Sequence, residues 1–128
     1  MSSSASPVAQ PAEVLLEKPG KWSLVVVLSL REEKRRFNEL RRIIGGISQK
    51  ILTTTLRDLE RDGYVTRTLF GTIPPRVEYE LTALGEELLL LAEAWEHFML
   101  DHRREVEAAR RRFDTAGELG PVRLVSRT

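Results

Sequence analysis

The spacing of hydrophobic residues changes period twice along this chain, and that pattern restricts the architecture more than any other feature of the sequence. Over Ile47–Asp62, apolar residues recur at three- and four-residue intervals, with Ile51, Leu52, Leu56 and Leu59 lining one side. This predicts an amphipathic helix, with Ser48 as its N-cap and Asp62-Gly63 as its end. Tyr64–Phe70 and Arg76–Leu81 then alternate, Val77, Tyr79 and Leu81 against Arg76, Glu78 and Glu80. Two alternating runs joined by Gly71-Thr-Ile-Pro-Pro75 predict a hairpin with a proline-stiffened tip. From Thr82 to about Asp114 the helical spacing returns, through Leu84, Leu88, Leu91, Ala92, Trp95, Phe98, Met99, His102, Val106, Ala109 and Phe113. That seam lasts roughly eight turns.

Upstream of this block the signals are shorter. Residues 1–10 are Ser, Ala and Pro with little to bury, and predict a disordered arm. Pro11–Glu17 predicts a short helix that Lys18-Pro19-Gly20 ends. Trp22–Leu30 (WSLVVVLSL) is continuously apolar, and its valines lean towards strand. The elements that follow favour a helix there instead. Arg31–Arg36 reads as a charged turn, Phe37–Ile44 as a helix, and Gly45-Gly46 as its stop. Residues 115–128 read as a loose tail. The order is helix, helix, Gly-Gly turn, helix, hairpin, long helix. The expected class is mostly α (α+β): a winged helix-turn-helix domain over 11–114 with terminal dimerisation helices.

Composition removes several chemistries. The 128 residues contain no cysteine, so disulfides, thiolate metal sites and cysteine nucleophiles are excluded. The two histidines, His97 and His102, stand five apart and do not share a helix face, so no metal is expected. Residues 1–12 have neither a basic start nor an apolar run, and no stretch is long enough to cross a membrane. A cytoplasmic protein is expected. No cofactor is expected either. There is no glycine-rich phosphate loop, no Gly-x-Ser-x-Gly and no nucleophile beside a base, so an enzyme is not expected. Glu86, Glu87, Glu93 and Glu96 read as a solvated face, with Glu93 four residues before His97.

The formal net charge is only +1, but residues 31–80 carry eleven Lys/Arg against eight Asp/Glu and residues 81–114 five against eight. The basic excess therefore sits on the helix-turn-helix. On a wheel, Leu52, Leu56 and Leu59 fall within about 60° of each other, and Lys50, Thr53, Thr54, Arg57 and Arg61 fall opposite. Lys and Arg reach guanine edges or phosphates, and Thr pairs with either or touches a thymine methyl. Ser48 and Gln49 stand at the helix start, where free N–H groups favour phosphate. Any surface helix carries charges and hydroxyls. Three adjacent threonines, however, are poor helix formers that propensity does not explain. Arg67 and Arg76 flank the hairpin, and Arg36 and Asn38 stand at the start of the preceding helix. These residues, Arg61 apart, form the expected DNA-binding set.

At these residues a family resemblance becomes specific. GKWSLVVVLSL (20–30), RRFNELRRIIGGISQKILTTTLRDLERDGYVTR (35–67) and PPRVEYELTALGEEL (74–88) resemble the HxlR family of bacterial winged-helix regulators, relatives of the MarR group. The resemblance covers about residues 12–113. It implies that Ser48, Gln49, Lys50, Thr53 and Thr54 lie on a recognition helix and Arg76 in the wing motif. It also implies dimers formed through terminal helices. Many members sense oxidants through an N-terminal cysteine. That position falls near Ala9 here, and thiol sensing is excluded.

The apolar seam on 84–113 is too long for so small a domain to cover, which predicts a homodimer through Leu15, Leu91, Trp95, Phe98, Met99, His102 and Val106. Trp22, Trp95, Phe98 and His102 are also candidates for the wall of a pocket for a small apolar or aromatic effector. The plainer reading is packing: dimer core for the last three and domain core for Trp22. The expected function is a transcriptional regulator, more a repressor than an activator, bound as a dimer to a pseudo-palindromic operator in double-stranded DNA. The alternative is a winged helix used for protein contacts.

Overall fold

A computed structural model describes residues 11–15, 17, 19–117, 123 and 125. Its elements are α1 (Pro11–Leu15), α2 (Ser23–Ser29), β1 (Arg35–Arg36), α3 (Phe37–Ile44), α4 (Gln49–Arg61), β2 (Val65–Phe70), β3 (Arg76–Leu81) and α5 (Ala83–Ala116). The expected arm at 1–10 lies outside the described residues, as do 118–122 and the last three residues of the expected tail. Leu15 ends α1, and its side chain also lies outside them. The chain divides into two units, residues 1–92 and 93–128.

The first unit is a winged helix. Val26, Val27, Leu30, Leu40, Ile47, Leu52, Leu56, Leu59, Val65, Leu88 and Ala92 form one buried cluster. Burying each of the larger of these side chains contributes about 1.5–3 kcal/mol. This cluster decides the ambiguous apolar run in favour of a helix: Val26 and Val27 are fully buried in α2. The Gly-Gly turn works because both residues take positive φ, 64° at Gly45 and 62° at Gly46. Side chains rarely tolerate that region. Ser48 caps α4 by accepting from the Ile51 N–H at 3.1 Å.

Two sequence expectations need correction. The charged turn at 31–36 ends in a strand: Arg35 and Arg36 pair antiparallel with Tyr79 and Glu78. The hairpin is therefore part of a three-stranded sheet, β1-β3-β2. A two-residue strand of arginines carries no alternation to detect, and only its pairing defines it. The second correction concerns α4, where Ile51 is 42% exposed rather than part of the core face. Its place is taken by Thr55, 8% exposed, whose hydroxyl donates to the Ile51 carbonyl at 2.8 Å. One of the three threonines is thus explained by packing and an intrahelical bond, the arrangement that lets a buried hydroxyl sit in a helix.

The entry to α5 is fastened to the end of α4. The Thr82 hydroxyl donates to the Gly63 carbonyl at 2.6 Å and accepts from the Gly85 N–H at 3.0 Å. The Thr82 N–H donates to the Tyr64 carbonyl at 3.0 Å. Gly85 is buried there because the Tyr64 carbonyl occupies the space a Cβ would need.

The helical part of the second unit is the remainder of α5, which runs to Ala116, close to the end expected near Asp114. Trp95 stacks on Phe98 with ring centroids 5.7 Å apart, and Phe98 tilts onto His102 at 4.7 Å. His102 Nδ1 lies 3.0 Å from Glu105 Oε1.

Candidate nucleic-acid interface

Helix α4 presents the outward face that its wheel implies. Lys50, Thr53, Thr54, Arg57 and Arg61 are all exposed, with Leu52, Leu56 and Leu59 buried opposite. Ser48 and Gln49 are exposed at its start. The Ser48 oxygen is committed to the Ile51 amide, which leaves its hydroxyl hydrogen to donate outward. The acids on this helix stand to the sides of the basic strip: Asp58 and Glu60 join Thr54, Arg57 and Arg61 around a depression of about 490 Å³.

The wing adds cations at two places. A groove of about 400 Å³ brings Thr53 and Arg57 of α4 together with Arg67 of β2, Glu60 and Tyr79. Arg67 Nε lies 3.3 Å from Glu60 Oε1, an exposed ion pair of small energetic weight. Burial pushes the Tyr79 phenol above its ordinary pKa of 10.0. Arg67 pulls it down and Glu60 pushes it up, both more weakly. The second place is a cleft of about 940 Å³ between α3 and the tip of the hairpin. Arg36, Asn38 and Arg76 line it, and so do Lys34 and Arg42. The expected set is therefore split: Thr53, Arg57 and Arg67 meet at one groove, and Arg36, Asn38 and Arg76 at another.

Lys34, Arg42, Phe70 and Glu78 were missed by sequence reasoning. Arg76 rests over the Phe70 ring, 4.4 Å from its centroid. The signal was partly present, because residues 76 and 78 share a strand face by alternation. The strand that sets Arg36 opposite Glu78 had no signal.

On the 93–116 segment, Trp95 is 56% and Phe98 49% exposed. Met99, His102 and Val106 are partly covered on the same helix. Leu91, at the end of the first unit, is 67% exposed. Trp22 packs against the first unit's core, with Lys21 Nζ 5.9 Å from its ring. It belongs to that core, and Trp95, Phe98 and His102 form a separate ring ladder.

Comparison with known proteins agrees with this geometry. The HxlR-like helix-turn-helix family matches residues 18–107. The chain is 45% identical over 76 residues to an uncharacterized HTH-type transcriptional regulator, YtfH of Escherichia coli (strain K12), covering 59% of this chain and 60% of that one. It is 40% identical over 98 residues to the regulator YdeP of Bacillus subtilis (strain 168), covering 74% and 77%. Among solved structures, the redox regulator HypR in its reduced form superposes with a TM-score of 0.71 at 37% identity, covering 77% of this chain and 99% of that one. The chain thus spans about 60% of the length of the first curated relatives it matches. The family and these relatives are transcriptional regulators, not enzymes. No helix among the described residues is long and apolar enough to cross a membrane.

Proposed function

This chain belongs to the HxlR-like helix-turn-helix family, and we propose that it is a sequence-specific transcriptional regulator that binds a pseudo-palindromic DNA operator as a homodimer in the cytoplasm. The observation that carries this reading is the outward face of α4, where Lys50, Thr53, Thr54, Arg57 and Arg61 are exposed together. Such a face offers donors for guanine edges and phosphates, and hydroxyls and methyls for the other bases. Ser48, Gln49, Arg36, Asn38, Arg67 and Arg76 supply flanking contacts to the backbone.

The dimer rests on the exposed Leu91, Trp95 and Phe98 of α5, with Met99, His102 and Val106 on the same seam. A stripe of this kind is stable when a second copy covers it. A two-fold pair then sets two recognition helices roughly 34 Å apart, one turn of DNA. Repression is the simpler outcome, since occupancy of a promoter blocks transcription without any activating surface. A small apolar or aromatic effector bound against Trp95, Phe98 and His102, or at Trp22, would act through the dimer. A cysteine switch has no residue to act on in these 128 positions. The protein-contact alternative needs an acidic or apolar outer face on α4, and exposed Ile51 is its foothold.

The test is binding to the DNA upstream of the protein's own gene, titrated across salt against a scrambled duplex. The proposal expects selective binding that falls steeply with salt. Equal affinity for both duplexes at every salt would overturn sequence-specific recognition.

A further inference from the structure

The cleft between α3 and the wing has an acid on its floor, where a DNA interface has least use for one. Glu78 is only 15% exposed in its side chain. Its Oε1 lies 3.5 Å from Lys34 Nζ and its Oε2 lies 3.1 Å from Arg76 Nε. Across the sheet its register partner is Arg36. We propose that Glu78 is a positioning residue for DNA binding: its carboxylate arrays Lys34 and Arg76, beside Arg36, to seat one phosphodiester group of the DNA in this cleft. The assignment rests on the DNA-binding role proposed above.

The charges favour an anion. Of the cleft's other acids, Glu33 pairs with Arg35 at 3.0 Å, and Glu39 accepts from the Arg36 amide at 2.8 Å and keeps its negative charge. Glu39 and Glu78 are outnumbered by Lys34, Arg36 and Arg76 along the cleft, so positive charge is left over. Arg42 on the rim adds to it. The contacts also leave donors available. Neither Glu78 Oε1 nor Arg76 Nε makes a hydrogen bond, so the acid holds both cations by charge, with the Phe70 ring beneath Arg76. Arg76 offers Nε to the acid and its flat face to the Phe70 ring, which leaves both terminal nitrogens for a two-pronged phosphate contact. Lys34 is more than half exposed and keeps its ammonium hydrogens.

The acid is useful because long cations are costly to order. Lys and Arg each carry about 2 kcal/mol of rotamer entropy. Without Glu78 the three cations repel one another and spread, and the DNA must gather them again on binding.

Two opposite outcomes follow for Glu78→Gln, which keeps the side chain's shape. If only net charge matters, removing an acid tightens binding. If Glu78 positions, operator affinity falls about tenfold at moderate salt, as expected when one charge-assisted hydrogen bond is no longer made. Affinity for a scrambled duplex falls by a similar factor, because a phosphate contact carries no sequence information. The slope of log affinity against log salt shrinks by about one for each phosphate no longer engaged. Arg76→Lys serves as a second variant. It keeps the charge but gives up the planar stack and the Nε interaction, and it should weaken operator binding similarly. Thermal melting confirms that each variant is folded, and the salt slope of binding is the readout that a merely structural ion pair would not move. Operator binding that is unchanged or tighter in E78Q, or unchanged in R76K, overturns the assignment of Glu78. A wild-type protein that does not select its DNA overturns the DNA-binding role itself, and this assignment with it.

Discussion

Replacing Gly85 by alanine reverses a common rule. In a helix interior, Gly→Ala ordinarily gains about 1 kcal/mol. Here the added Cβ would fall 2.0 Å from the Tyr64 carbonyl oxygen and 3.2 Å from a Leu81 methyl. The nearer obstacle is backbone, so α5 must shift away by more than an ångström. That movement breaks the bond from the Thr82 N–H to the Tyr64 carbonyl and the bond from its hydroxyl to Gly63. Each contributes about 1 kcal/mol net. The shift also loosens Leu88 and Ala92, which are buried one and two turns further along. After the propensity gain is offset, Gly85→Ala should destabilise by about 2 kcal/mol. At about 4–8 °C per kcal/mol for a domain of this size, Tm should fall by roughly 10 °C. Circular dichroism at 222 nm measures it, with protein concentration held fixed because association raises Tm. Gly71 is the control, since a Cβ there meets nothing within 4 Å. Gly71→Ala should leave Tm unchanged or slightly raised. A Gly85→Ala protein that melts at or above the wild-type temperature would refute the packing argument.

Ser48→Ala removes the cap on α4 and should cost about 1 kcal/mol, read as a lower urea midpoint at unchanged m-value. Phe98→Asp puts a charge on the exposed ring ladder of α5 and should convert the proposed dimer to monomers in sedimentation velocity. A dimer that persists would move the interface elsewhere. Tyr79 gives a pH dependence, because burial holds its folded pKa above 10.0. Its contribution is fully present below the unfolded value of about 10 and declines as pH rises from there through the folded pKa. Urea unfolding at pH 9 and pH 11 should therefore show a loss that Tyr79→Phe reduces. An equal loss in both proteins would assign it to other groups.

Elements with a strong period were legible in the sequence. The Leu52, Leu56, Leu59 stripe, the Ser48 cap and the strand β3 all appear at the expected residues, although β3 does not alternate in burial. Burial of a whole element was legible only through its neighbours: the valines of α2 suit a strand, and packing makes them helical. Features that arise from pairing were not legible. β1 is two arginines whose strand character comes from β3, so the side of the carboxylate-centred cleft that β1 supplies had no sequence signal. Thr55 shows the converse limit, because a threonine turned into the core looks like its exposed neighbours until the helix phase is fixed. The outer face of α4 depended only on that phase, which three leucines determine.

The most direct test of the central claim is a titration of upstream DNA with wild-type, Lys50→Ala and Arg57→Ala proteins, each confirmed folded by its melting curve. The account predicts that both variants lose about tenfold or more in affinity for the operator while keeping the wild-type melting temperature within a few degrees. Wild-type affinity in both would contradict the assignment of α4 as the helix that reads DNA.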